Sequence, residues 1–231
     1  MSHPQQQDFC RLVEKNFFRE KKISILEIGS YNVNGTIRDI FTNQKYIGVD
    51  VKKGPCVDIV YDGLNLDIQD KFDLSISCEC FEHNPFYLEN FKKMIELTKN
   101  DGVIVFTCAS IFRKEHGTTR TTPADSPGSM EKWDYYKNLF KKDFEKKIDM
   151  NKIFYKYQFY YNLFSYDLFF IGIKNDNYLE NFKLFNYEVI YRFQKEISQY
   201  PVSLYLFFFI LKKILIKIQI KFIRILKKYR K

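Results

Sequence analysis

At 231 residues the chain is long enough for one α/β domain with a sizeable core, and a 45% hydrophobic content excludes a disordered polymer. Five cysteines, an odd number scattered at positions 10, 56, 78, 80 and 108, argue against a disulfide scaffold and for a reducing compartment. The net charge of +9 equals the nine Lys and Arg residues between Lys212 and Lys231, where there is no Asp or Glu, so the basicity belongs to the tail and speaks against a nucleic-acid partner for the domain.

The N-terminus has neither a basic nor an apolar region of the signal-peptide kind, so a cytoplasmic location is expected. Residues 5–21 are predicted to form a helix with Phe9, Leu12, Val13 and Phe17 on one face. The apolar run Ile23 to Ile28, ending at Gly29, fits a buried parallel strand. A helix over Gly35 to Phe41 comes next, then strands over Tyr46–Val51, Val57–Tyr61 and Lys71–Ser77. A helix from about Pro85 to Lys99 follows, with Leu88, Phe91, Met94, Ile95 and Leu97 as its apolar positions. A turn at Asn100-Asp101-Gly102 leads into a fifth strand, Val103–Thr107.

Residues 109–134, rich in Gly, Pro, Ser and Thr, read as a long loop, and long loops in compact domains tend to be functional. Residues 135–147 are expected to be helical, and Phe154–Ser165 with Asp167–Ile173 to close the sheet as a hairpin. This alternation calls for a doubly wound, mostly parallel seven-stranded sheet. The expected organisation is an N-terminal helix (1–22), the sheet domain (23–174), a connecting segment (175–200) and a basic tail (201–231).

In such a sheet a ligand sits at the carboxyl ends of the strands, where strand order reverses. Gly29 ends the first strand and permits close backbone approach, and the following loop, with Ser30, is expected to lead into helix-terminal amides that face a polar group. Asp50 ends the second strand, where its carboxylate can accept two ribose hydroxyls, and Asp62 follows the third, where it can meet an adenine amine or order its loop. The chain lacks the G-x-G-x-x-G pattern of nicotinamide-binding folds, and Glu27-x-Gly29 before the loop points instead to adenosylmethionine.

Ile25-Leu26-Glu27-Ile28-Gly29-Ser30, Tyr46-Ile47-Gly48-Val49-Asp50, Gly54-Pro55-Cys56-Val57-Asp58, Phe72-Asp73-Leu74-Ser75-Ile76-Ser77 with Phe81-Glu82-His83, and Asp101-Gly102-Val103-Ile104-Val105 together resemble the class I S-adenosylmethionine-dependent methyltransferase superfamily over roughly residues 20–174. Within it the chain is most similar to bacterial methyltransferases of polysaccharide gene clusters, through Glu115-His116-Gly117-Thr118 and Asp134-Tyr135-Tyr136-Lys137-Asn138-Leu139. Tyr31 stands where the family usually has a second loop glycine, and a single Gly102 stands where it has a pair. The resemblance implies that Glu27 and Gly29 lie near the methionine moiety, that Asp50 binds the ribose and Asp62 flanks the adenine, and that Cys78, Glu79 and Cys80 line the cofactor's other side.

Methyl transfer to a hydroxyl benefits from a general base, and His83 and His116 are the candidates. His83 can instead cap the next helix or pack beside the cofactor. Glu115 can orient His116, and Arg113 and Arg120 can hold an anionic group of the acceptor. Cys78-x-Cys80 without a second pair is a poor zinc signal, so no metal is expected.

In the tail, Lys212, Lys213, Lys217, Lys221, Arg224, Lys227 and Lys228 fall on one helical face, with Leu211, Leu215, Ile218, Phe222, Ile225 and Leu226 on the other. A basic amphipathic helix of this kind suits an anionic membrane surface, here the inner face, or else packs its apolar side on protein. The expected activity is O-methylation of a sugar or glycan intermediate. RNA methylation and a non-catalytic adenosylmethionine-binding partner protein are the alternatives.

Overall fold

Apolar runs too long to alternate between core and solvent need cover on both faces, and the strands carrying them form the centre of the sheet. The computed structural model describes residues 3–42, 44–61 and 66–198. Strand β1 (Ser24–Ile28) pairs in parallel with β2 (Lys45–Asp50), in register Ile28 to Val49, and with β4 (Phe72–Cys78), in register Ile25 to Leu74. The short β3 (Ile59–Val60) flanks β2, and β5 (Thr98–Ala109) flanks β4. The hairpin of β6 (Lys156–Asn162) and β7 (Asp167–Ile173) enters antiparallel, β7 beside β5. The order β3-β2-β1-β4-β5-β7-β6 is the expected doubly wound seven-stranded sheet, and its order reverses between β1 and β4.

Helix α1 (Pro4–Val13), extended by a π-turn at Glu14–Phe18, and the start of α6 (Leu179–Ser198) cover one side through Phe9, Phe17, Phe169 and Phe185. On the other side α2 (Tyr87–Leu97) buries Phe91, Met94 and Leu97. There Phe81, Phe91, Phe106, Phe144 and Phe170 form a continuous ring cluster; Phe106 and Phe170 face each other across β5 and β7 with centroids 4.8 Å apart. Much of the high phenylalanine content is thus core. Each such ring pair contributes ~0.5–1.5 kcal/mol beyond its burial.

Four local expectations are corrected. The helix expected over Gly35 to Phe41 is a single 3-10 turn, Arg38–Ile40: Gly35 has φ +145°, and the Arg38 guanidinium is drawn away to the Cys56 and Tyr46 carbonyls and the Asp58 carboxylate. No helix terminus therefore follows Gly29. The turn expected at 100–102 is a wide bulge inside β5, where the register jumps from Phe72–Thr98 to Leu74–Val103. Gly102 is required there, since a Cβ would come within 2.9 Å of the Asp73 carbonyl oxygen.

The helix expected over 135–147 shrinks to α4 (Lys141–Glu145), with α5 (Met150–Ile153) after it. Residues 137–139 instead hydrogen-bond back to Glu82 and Ala109. The segment 175–200, expected to be mixed, contains α6. The chain divides into two units, Met1–Asn186 and Tyr187–Lys231. No helix among the described residues is long and apolar enough to cross a membrane. Asp62 and the tail 201–231 lie outside the described residues.

Candidate functional site

The carboxyl ends of β1, β2 and β4 surround a cleft with ≈ 590 Å³ of open space, at the reversal of strand order. At the end of β1, Gly29 has φ +82°, and a Cβ there would lie 2.4 Å from the Cβ of Cys80. The amides of Gly29 and Ser30 both donate to the Val49 carbonyl, which fastens the turn to β2. At the end of β2, Asp50 faces the cleft; one carboxylate oxygen accepts the Tyr31 amide at 3.1 Å and the other the Lys52 amide at 3.3 Å. Burial raises the Asp50 pKa against the pull of those amides.

After β4, Glu79 takes a left-handed conformation at φ +49°, and its Oε1 accepts the Thr107 hydroxyl at 2.9 Å. Glu79, Cys80, His83, Asn84 and Asn90 line this side of the cleft.

The loop 109–134 is not structureless. A 3-10 turn, Pro123–Asp125, and helix α3 (Pro127–Lys132) cross over the end of β2. Gly128 approaches Asp50 so closely that a Cβ would sit 3.3 Å from Oδ1 and 2.8 Å from Val51. Glu131 pairs with Lys52, and the Trp133 indole N–H donates to the His83 carbonyl at 2.6 Å. Ser126-Pro127, a helix-start signal, lay unread in the sequence, as did Trp133, the chain's single tryptophan, which lines the cleft.

The other candidate residues have different surroundings. Glu27 and Ser30 are buried and are not among the residues lining the cleft. The Tyr46 hydroxyl donates to Glu27 at 2.8 Å, and burial pushes the Glu27 pKa up to about 7. Cys78 points to Cys10, with the sulfurs 3.7 Å apart, whereas Cys80 faces the cleft. Glu115 bonds Thr118 and Arg120 rather than His116, and Arg120 also pairs with Asp134. Arg113 donates to the Ser165 carbonyl and lies 3.8 Å from the buried Asp167 carboxylate.

The two histidines, 33 positions apart in sequence (116 − 83), come together with ring centroids 4.8 Å apart and the Tyr136 ring packed against both. Burial lowers both pKa values, His83 well below the ordinary range, so both imidazoles are neutral at neutral pH.

No family model and no curated protein matches the sequence. Solved structures do match. The Burkholderia thailandensis 1,6-didemethyltoxoflavin-N1-methyltransferase, with bound 1,6-didemethyltoxoflavin and S-adenosylhomocysteine, is 12% identical with a TM-score of 0.51, over 73% of this chain and 77% of that one. A methyltransferase candidate from Bacillus halodurans C-125 is 9% identical with a TM-score of 0.50, over 72% and 98%. The N-methyltransferase NodS from Bradyrhizobium japonicum WM9 is 13% identical with a TM-score of 0.47, over 74% and 88%. At such identities the likeness concerns the fold, and the chain has the Rossmann-like fold of the class I methyltransferases.

Proposed function

We propose that the chain is an S-adenosylmethionine-dependent methyltransferase. The observation that carries this reading is the arrangement at Asp50. Each of its carboxylate oxygens accepts one backbone amide, which fixes the side chain and leaves each oxygen free to accept a further hydrogen bond. Two adjacent acceptors suit the vicinal hydroxyls of a ribose. Gly29 and Cys80 meet without an intervening side chain, so the backbone on that side can approach a ligand closely. The Burkholderia thailandensis neighbour, whose structure holds S-adenosylhomocysteine, supports the same ligand class.

When bound, the cofactor supplies a methyl group on a sulfonium, already a strong electrophile. The chain's own residues then have to orient an acceptor, exclude water and move a proton. The α3 segment and Trp133 cover the cleft. His83 borders it, neutral and able to take a proton from a hydroxyl, and the neutral His116 packs against it from behind. These imidazoles favour a hydroxyl acceptor over an amine, which needs no strong base. The resemblance of Glu115-His116-Gly117-Thr118 to enzymes of polysaccharide clusters is what supports a sugar or glycan intermediate as the acceptor. The basic tail would hold the enzyme at an anionic membrane surface.

Calorimetry with S-adenosylhomocysteine tests the reading. Micromolar binding is expected, and Asp50→Ala should weaken it ~10-fold or more, the worth of hydrogen bonds to a charged group. Absence of binding at high micromolar ligand would remove the proposal.

A further inference from the structure

We propose that Glu82, His83 and His116 form a binding site for a divalent cation beside the cleft, with the Glu79 carboxylate as an auxiliary oxygen donor. Ligand atoms of the first three lie within 4.8 Å of one another. Glu82 is fully buried, and His83 and Glu79 are 3% and 5% exposed. Among the described residues, both oxygens of Glu82, both ring nitrogens of His83, Nε2 of His116 and Oε2 of Glu79 are buried without a hydrogen-bond partner. Leaving one such group unpaired is costly, and a cluster of them on one spot calls for a common partner.

Charge points the same way. Glu79, Glu82 and Asp167 are three buried carboxyl groups, and Arg113 lies 3.8 Å from the last of them. Buried carboxylates are ordinarily paired or bound to metal.

The orientation of His116 is what a ligand requires. Its Nδ1 lies 3.1 Å from the Lys114 carbonyl, which can only accept, so Nδ1 carries the hydrogen and the lone pair sits on Nε2, the atom turned into the cluster. The Tyr136 hydroxyl donates to the same carbonyl, and its ring walls both imidazoles. Gly117, at φ +67°, lets the loop pass over His83, since a Cβ there would come within 2.8 Å of the ring. Donors held ~2.1 Å from one ion stand ~3–3.5 Å apart, so chelation draws the most widely spaced of these side chains together by ~1–2 Å.

Two imidazoles and a carboxylate suit an ion of the manganese-to-zinc series better than calcium or magnesium, and they leave coordination positions open. Because His83 also borders the cleft, an acceptor hydroxyl there could occupy an open position and release its proton to water more easily, the ion then standing in for the imidazoles as the activating group because it engages their lone pairs. That role rests on the methyltransferase reading; the binding of the ion does not.

The test uses the full chain, stripped with a chelator and titrated with Mn²⁺ in the absence of any nucleoside. Paramagnetic resonance of free Mn²⁺ is expected to show uptake of one ion per chain, displaced by Zn²⁺ and poorly by Mg²⁺. Spin-echo spectra of bound Mn²⁺ should carry imidazole-nitrogen coupling. His116→Ala, on the loop and only half-buried, should cut affinity ~10-fold or more and remove part of that coupling. Glu82→Gln should also cut affinity ~10-fold or more but leave the nitrogen coupling, and if it does not fold, the nitrogen coupling and His116→Ala decide. No uptake of Mn²⁺ or Zn²⁺ at millimolar concentrations, or uptake without nitrogen coupling or indifferent to His116→Ala, would overturn the proposal. S-adenosylhomocysteine titrated separately into the same sample shows whether the methyltransferase reading stands or falls independently.

Discussion

Glu27 is the most direct test of how the β1 turn is built. It is 4% exposed, and the Tyr46 hydroxyl donates to it at 2.8 Å. Burial outweighs that bond and raises its pKa from 4.5 to about 7. The folded state therefore binds this proton more tightly than the unfolded chain. Its contribution to stability is fully present below the unfolded value and is lost as pH rises through the folded one. At ~1.4 kcal/mol per pH unit, the whole interval is worth ~3 kcal/mol, most of it crossed between pH ~5 and ~8.

Glu27→Gln keeps the size and the acceptor for Tyr46 but cannot ionise. Urea denaturation of both proteins across this range should give a stability difference that grows with pH. The variant should gain ~2–3 kcal/mol on the wild type between pH ~5 and ~8, a large part of a typical 5–15 kcal/mol total. Parallel stability curves would refute the reasoning, because they would mean that the carboxylate is solvated or neutralised in the fold.

Gly29→Ala should destabilise by at least ~2 kcal/mol in thermal melts, through the positive φ and the collision with Cys80, and Cys80→Gly should restore part of the loss; a wild-type melt would disprove the close approach. Since Trp133 is the only tryptophan and lines the cleft, ligand binding measured by calorimetry should change the intrinsic fluorescence; binding without such a change would mean that the α3 segment does not cover the site. The full chain should float with anionic vesicles and a chain ending at residue 200 should not, and equal behaviour of the two would end the membrane reading.

The strands were legible because their signal is local. A run such as Ile23 to Ile28 ending in glycine needs no distant partner to be recognised, and the alternation of strands and helices restricts the topology to a doubly wound sheet. The same locality placed Gly29 and Asp50, each at the end of a strand, where the cleft is built. The helix expected over Gly35 to Phe41 does not form because Arg38 is held by partners at Tyr46, Cys56 and Asp58, which no local pattern reveals.

Facing was equally hidden. Cys78 turns to Cys10 and Cys80 to the cleft, a difference set by the left-handed residue Glu79 between them. Most of all, His83 and His116 read singly were two candidate bases. Residue types and intervals along the chain could propose each, but only the return of the 109–134 loop over the sheet places them on one buried spot with Glu82. Burial and mutual proximity are properties of the packed chain, and they turn ordinary side chains into a site.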